Sequence, residues 1–341
     1  MKKVRLGLIG FGNVGQGFVQ ILCDDGAGLA QKYGVEFAIT AIVDARLGAV
    51  FQPEGIQLPG LLEHVQTKGT LNGLPGEQPG WDALTLARHP AVDAVVELSF
   101  TNLQTGEPAY AHISAALSSG KNVVTTNKGP VALHYARLAE LARKNNVQLG
   151  VEGTVMSGTP TLRLGRELLA AAGITGVEGI LNGTTNFILT RMEAGASYPA
   201  ALAEAQSLGY AEADPTGDVE GIDAAGKVVI LARLLLGADI GMADVDRQGI
   251  THLTSADIAA AQAAGERWKL IGSLQVGPAG ITASVRPTRL PLANPLAGVG
   301  GATNAILFHT KLLGDVTLIG PGAGRMETGY AVLEDLLAIY K

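Results

Sequence analysis

Two charged residues four apart, Asp223 and Lys227, stand against an apolar background: residues 228–231 read Val-Val-Ile-Leu. That spacing puts both side chains on one face of a helix. An acid and a base held together in apolar surroundings either move a proton to and from a bound ligand or form a buried structural ion pair. Spacing alone leaves both readings open. Upstream, Glu212, Asp214, Asp218 and Glu220 precede Asp223 in a dense acidic run that follows Gly209-Tyr210. Such a run is ordinarily a solvated turn, but carboxylates beside a proton-handling lysine also suit a substrate amino group.

Three other segments carry residues of chemical interest. Thr125-Thr126-Asn127-Lys128-Gly129 directly follows an apolar strand-like run at 122–125. In a parallel sheet the C-terminal ends of the strands face the ligand crevice, where Lys128 can touch cofactor or substrate, or simply be solvated. Asn182-Gly183-Thr184-Thr185-Asn186 joins a strand to a helix; small hydrogen-bonding groups there either cap the helix or meet a carboxylate, and capping is the simpler local reading. Gly10-Phe11-Gly12-Asn13-Val14-Gly15 is a G-x-G-x-x-G between a strand and a helix, the placement a dinucleotide pyrophosphate requires. The second strand ends at Asp44, farther beyond Gly15 than the ~20 residues usual for a ribose-binding acid, with the excess in 24–34. Asp44 favours a ribose 2′-hydroxyl and Arg46 a 2′-phosphate, so NAD and NADP both stay open. Together these parts suggest alcohol/carbonyl oxidoreduction: a dinucleotide exchanges hydride, a lysine handles the hydroxyl proton, carboxylates hold an amino group. A G-x-S-x-G nucleophile elbow is missing, and the six histidines form no H-x-x-x-H pair.

The elements that must position these residues follow from apolar periodicity. Strands are expected at 4–9, 37–43, 94–98, 122–125 and 148–151, alternating with helices at 14–22, 109–119 and 132–145. This is the rhythm of βαβ units and a parallel sheet. Residues 47–81 are rich in Gly and Pro and read as an irregular excursion without an evident function. Beyond about residue 152 the rhythm changes: helices at 161–172, 186–194, 198–208, 222–236 and 331–340, and strands at 176–181, 272–276, 280–285 and 305–310 of a second, mixed or antiparallel sheet. The fold class expected is α/β, a Rossmann-type doubly wound parallel sheet with a second α+β domain. The dinucleotide domain would span 1–135, completed by 311–341, and a substrate-binding and dimerisation domain 136–310.

Bulk properties narrow the class. The chain has 341 residues, 47% hydrophobic and 16% charged, enough apolar content for large cores and too little charge for a disordered chain. A net charge of -6 argues against a nucleic-acid binder. The lone Cys23 excludes an intrachain disulfide and a cysteine-rich metal site and fits a reducing cytoplasm. Glycines at 7, 10, 12 and 15 break the first apolar run before a signal peptide could form. No run approaches the ~18–20 apolar residues of a membrane span. The expected location is cytoplasmic, with no membrane or nucleic-acid partner.

In order and spacing, several of these blocks resemble homoserine dehydrogenases. They are Gly10 to Gly15, Thr126-Asn127-Lys128-Gly129, Gly179-Ile180-Leu181-Asn182-Gly183-Thr184-Thr185-Asn186, the run from Leu208-Gly209-Tyr210-Ala211-Glu212-Ala213-Asp214-Pro215 to Lys227, and Gly320-Pro321-Gly322-Ala323-Gly324. The resemblance covers essentially the whole chain, and the 209–227 block is its most specific part. It implies interconversion of L-homoserine and L-aspartate 4-semialdehyde in threonine and methionine biosynthesis, with NAD or NADP. By the same resemblance, Lys227 and Lys128 would be the catalytic lysines, Lys227 as acid/base and Lys128 also touching the cofactor. Glu212 and Asp223 would bind the substrate's amino and hydroxyl groups, with Asp218 in support, Gly183 and Thr184 at the carboxylate, and Tyr210 beside them. Phe11, Asn13, Val14, Thr101, Gly209 and Gly324 would contact the cofactor. A monovalent-cation site, suited to sodium, would fall at Glu152, Val155, Ser157 and Thr159. A homodimer or homotetramer is implied, and no C-terminal regulatory domain, since the chain ends soon after Gly324. The alternatives are another oxidoreductase of a small amino or hydroxy acid and a non-enzymatic dinucleotide sensor. Aspartate-semialdehyde dehydrogenase, similar in architecture, needs a thiol in the substrate domain, whereas Cys23 lies in the first helix.

Overall fold

The apolar run after Lys3 forms β1 (Lys2–Ile9), buried at every residue from Leu6 to Ile9 as expected of a strand covered on both faces. The computed structural model describes residues 1–278 and 280–341. They form two units, Met1–Gly158 with Gly324–Lys341, and Thr159–Ala323. In the first unit β1 is followed by α1 (Asn13–Tyr33), β2 (Val35–Asp44), β3 (Gly48–Phe51), α2 (Leu58–Lys68), α3 (Ala83–Arg88), β4 (Ala94–Glu97), α4 (Ala109–Ser118), β5 (Asn122–Thr125), α5 (Lys128–Lys144) and β6 (Leu149–Gly150). The sheet order is β3-β2-β1-β4-β5-β6. All neighbours are parallel except β3, which turns back against β2. This is a doubly wound sheet with the switch of strand order beside β1, where ligands bind in such folds.

Two apolar clusters cover its faces. One joins Leu6 and Leu8 to Phe18, Leu61 and Leu336; the other joins Ile9 and Val95 to Leu86, Ile113 and Leu138. Leu336 comes from the C-terminal helix Arg325–Tyr340, which lies on α1. Gly17 and Gly329 make that packing close: a Cβ on Gly17 would run into the Arg325 carbonyl, and one on Gly329 would be 2.6 Å from the Phe18 nitrogen.

The second unit begins with α6 (Thr161–Arg163), where a single helix over 161–172 was expected. Instead the chain widens into a π turn at Leu164–Leu168, with the Leu169 N–H donating to the Leu164 carbonyl at 2.9 Å, and narrows into a 3₁₀ turn at Ala170–Ala172. Next come β7 (Ile174–Ile180), α7 (Gly183–Glu193), α8 (Tyr198–Ser207), α9 (Thr216–Val219), α10 (Ile222–Leu236), β8 (Val245–Arg247), α11 (Ser255–Ala263), β9 (Glu266–Gly277), β10 (Gly280–Pro291), β11 (Thr303–Thr310) and β12 (Gly314–Pro321), before the C-terminal helix, α12. The sheet order is β12-β11-β7-β9-β10-β8, antiparallel except for β8 beside β10. Every residue from 224 to 232 of α10 is buried, so this helix is core on all sides.

The boundaries between units differ from those expected at 135 and 311. Residues 136–158 belong with the first sheet because α5 returns through β6, and 311–323 with the second because β12 pairs with β11. Among the described residues no helix is long and apolar enough to cross a membrane.

Candidate active site

In the first unit the G-x-G-x-x-G turn is built from its glycines. Gly10 has φ +92°, and a Cβ there would lie 2.6 Å from the Leu98 carbonyl oxygen, so only glycine serves. Gly12 precedes α1 with nothing within 4 Å of where its Cβ would be, leaving the backbone open to a ligand. A Cβ on Gly15 would sit 3.0 Å from the Gly10 carbonyl, tight packing of helix on turn. The Phe11 side chain is fully buried in the core, so only its backbone could reach a cofactor, and its N–H already donates to Asp44 Oδ2 at 2.8 Å. Asp44 Oδ1 accepts the N–H groups of Arg46 (2.8 Å) and Leu47 (3.0 Å). These bonds fix the carboxylate at the end of β2.

A cavity of about 840 Å³ opens beside this turn, lined by Gly10, Gly12, Asp44 and Arg46 among others. The first-turn N–H groups of α1 lack intrahelical acceptors and carry the positive end of the helix dipole, and no side chain caps them. Glycine turn, open helix end and anchored acid fit a nicotinamide dinucleotide through its pyrophosphate and adenosine ribose. Asn13 and Thr101 are exposed and Val14 is half-buried. Gly324, at φ +143°, stands at the N-cap of α12.

Lys128 is the first residue of α5, half-buried at the C-terminal end of β5. The helix begins four residues earlier than the apolar pattern predicts because Asn127 caps it, accepting the Gly129 N–H at 3.2 Å. The Asn127 amide also donates to the carbonyls of Ser99 (3.0 Å) and Phe100 (2.9 Å), tying the ends of β4 and β5 together.

In the second unit Asp223 and Lys227 form the pair their spacing implied, Lys227 Nζ donating to Asp223 Oδ2 at 2.8 Å and to the Leu181 carbonyl at 2.5 Å. Lys227 is only 7% exposed. Asn182 joins the pair to a third group: its Nδ2 donates to Asp223 Oδ2 at 3.0 Å and to Asp218 Oδ1 at 2.7 Å. Its oxygen accepts the N–H and hydroxyl of Thr185 at 2.9 and 3.0 Å, capping α7. A backbone N–H can only donate, so the amide oxygen must face Thr185 and the NH₂ must face the carboxylates. Burial pushes the Asp218 carboxyl above the usual carboxylate range, opposed by its bond from Asn182; the Asp223 charge raises it further and Lys227 lowers it.

The capping reading of 182–186 thus covers half of what Asn182 does. Its bridging role gave no sequence signal, since Asp218 and Asp223 come from separate elements. Thr184 Oγ1 donates to the Tyr210 carbonyl at 2.5 Å, and the Tyr210 ring, 46% exposed, tilts against Phe187. Gly183 opens α7 and is partly exposed, while Glu212 and Gly209 are exposed in the loop after α8. Of the expected cation ligands, Glu152, Val155 and Ser157 lie in one buried turn of the first unit, and Thr159 opens the second. Among the described residues no three His, Cys, Asp or Glu side chains cluster to hold a metal ion.

Residues 10–152 match the homoserine dehydrogenase NAD-binding domain and residues 160–337 the homoserine dehydrogenase domain. The chain is 46% identical to an NAD(+)-dependent homoserine dehydrogenase of Pseudomonas canavaninivorans, across 100% of this chain and 97% of that one. It is 39% identical to a homoserine dehydrogenase of Methanocaldococcus jannaschii, with 98% and 97% covered. A hyperthermophilic archaeal homoserine dehydrogenase solved with NADPH superposes with a TM-score of 0.85 at 31% identity, covering 99% of this chain and 97% of that one. A G-x-G-x-x-G cleft in one unit, an Asn-bridged acid–lysine pair in the other, and these matches over both agree: the chain belongs to the homoserine dehydrogenase family.

Proposed function

We propose that this enzyme interconverts L-homoserine and L-aspartate 4-semialdehyde, with a nicotinamide dinucleotide in the first unit and the amino acid on the second. The observation that carries the residue roles is the Lys227–Asp223–Asn182–Asp218 network. An ammonium has three N–H bonds, and Lys227 commits two, to Asp223 and Leu181, leaving the third for the substrate oxygen. The dinucleotide would be held by the glycine turn at 10–15 and Asp44 and would supply hydride exchange with the hydroxyl-bearing carbon. As the neutral amine, Lys227 takes the hydroxyl proton into that third position during oxidation, and as the ammonium it returns the proton to the oxygen during reduction, with Asp223 holding the lysine in place. Lys128, beyond the C-terminal end of β5, is the second lysine for the reacting oxygen and for the cofactor.

Glu212 and Asp223 serve the substrate's amino and hydroxyl groups, with Asp218 in support. The first-turn N–H groups of α7, at Gly183 and Thr184, lack intrahelical acceptors and suit its carboxylate. A monovalent cation at Glu152, Val155, Ser157 and Thr159 is supported by the left-handed backbone of Met156 (φ +59°) and Ser157 (φ +56°). Such strain persists where a turn must aim its oxygens. Self-association is supported by exposed Leu312, Leu313 and Ile319 on and beside the edge strand β12.

The test is formation of reduced nicotinamide by the purified chain given homoserine and either NAD⁺ or NADP⁺, with malate as a competing hydroxy acid. Homoserine-dependent reduction is expected. Measurable dinucleotide binding without reduction by homoserine would sink the substrate assignment and leave the cleft standing.

A further inference from the structure

The Gly/Pro-rich excursion at 47–81 had no role in the sequence, and in the structure it builds one wall of the dinucleotide cleft. A tight turn after Asp44 sends β3 back along β2, and the chain then returns a second time along β3. The Gln78 N–H donates to the Ala49 carbonyl (2.9 Å), the Phe51 N–H to the Gly76 carbonyl (2.8 Å), and Gln52 Nε2 to the Pro75 carbonyl (2.6 Å). Gly76 allows this approach with φ +83°. Trp81 stacks on Phe51, ring centroids 5.1 Å apart and planes 26° from parallel, and meets His89 at 4.9 Å. Asn72, Glu77, Gln78, Trp81 and Asp82 thereby line the cavity that Gly10, Gly12 and Asp44 also line.

The charge on this wall is specific. Three carboxylates, Asp44, Glu77 and Asp82, line the cavity, and among the described lining residues Arg46 supplies the one permanent positive charge. Asp44 is held by three backbone N–H groups, and a carboxylate oxygen so held still has lone pairs for a ribose hydroxyl. Glu77 is tied back by the Gly73 N–H at 2.8 Å, and Asp82 by the Thr85 N–H at 2.7 Å. None of the three can easily swing away from a ligand. A 2′-phosphate would bring about two negative charges to this wall.

Resting on the assignment of the cleft to a dinucleotide, we infer that residues 69–82 are a selectivity wall that admits an adenosine ribose with a free 2′-hydroxyl and rejects its 2′-phosphate. Glu77 and Asp82 reinforce Asp44 by repulsion, and Trp81 forms the apolar side. Rejecting the wrong ligand by like charge is an economical route to specificity.

The test measures binding, not turnover. Titration calorimetry of the full chain with NAD⁺ and NADP⁺ gives the ratio of the two Kd values. NAD⁺ is expected to bind more tightly. Glu77→Gln keeps the acceptor for Gly73, and Asp82→Asn keeps the helix cap, so each removes charge with little disturbance of the loop. Each is expected to shift the Kd ratio toward NADP⁺ by about threefold, and the double variant by about tenfold. In a Trp268→Phe background, Trp81 is the one remaining tryptophan, and its emission should change on NAD⁺ binding. A wild-type preference for NADP⁺, an unmoved ratio in the double variant, or calorimetric binding without a Trp81 response would each overturn the proposal while leaving the dinucleotide cleft in place. Binding of neither dinucleotide would overturn the cleft assignment and the selectivity wall with it.

Discussion

Replacing Asn182 by aspartate exchanges one NH₂ for an oxygen and turns a bridge between two carboxylates into a third carboxylate. In the native chain the amide gives Asp218 and Asp223 one N–H each, at 2.7 and 3.0 Å, and caps α7 with its oxygen. A hydrogen bond to a charged group is worth about 1.5–3 kcal/mol, and the lower end suits half-buried carboxylates, so the two bonds contribute about 3 kcal/mol. The cap adds about 1 kcal/mol. Asn182→Ala should therefore cost about 4 kcal/mol near neutrality and less in acid, because the lost bond lowers the Asp218 pKa and so favours its ionised form. Asn182→Asp keeps the cap but adds repulsion that protonation relieves. Asp218 is already raised by burial, and a third acid raises the group further. Folded pKa values above the unfolded ones mean the folded state holds more protons in that window, so stability falls as pH rises through it. The loss for Asn182→Asp should thus be greatest near neutrality and shrink as the pH is lowered into the acid range. The assay is urea unfolding across this range, followed by Trp268 in the same unit as Asn182, in a Trp81→Phe background. Equal, pH-independent losses for the two variants would refute the bridge.

Two other substitutions probe the packing that positions the site. Gly17→Ala drives a methyl into the Arg325 carbonyl between α1 and α12; it should cost about 1–3 kcal/mol in the first unit, read by Trp81 during unfolding, and an unchanged midpoint would count against the close helix contact. Lys269 is fully buried, donating to the Val299 carbonyl at 2.8 Å and Asn186 Oδ1 at 3.2 Å, with Glu193 at 4.0 Å. Lys269→Met strands these acceptors and should cost about 3 kcal/mol in unfolding of the second unit, where a neutral or stabilising result would show that the cation is dispensable.

The elements that periodicity reveals are those whose neighbours lie close in sequence. The strand–glycine–helix run at 4–22 and the apolar α10 were legible because burial patterns local residues. Asp223 and Lys227 were legible for the same reason, since one helix turn joins them. β3 was not, because its pairing depends on a turn set by Asp44 bonds to Arg46 and Leu47. The wall at 69–82 has almost no apolar period; its place comes from backbone bonds to β3, which any residue type can make. Phe11 sits inside a ligand-binding motif, yet its side chain belongs to the core. The break at 164–172 carries a close contact that is not local: a Cβ on Gly165 would lie 2.6 Å from Leu235 Cδ2, and Leu235 is far away in the chain.

The central claim is that Lys227 moves the proton while the other unit holds the dinucleotide. Lys227→Ala tests it most directly, by steady-state homoserine oxidation together with calorimetric NAD⁺ binding on the same preparation. The prediction is a kcat lowered by about 10²–10⁴-fold, with dinucleotide affinity retained. Full turnover by the variant would contradict it and leave the Asp223–Lys227 pair as a structural ion pair.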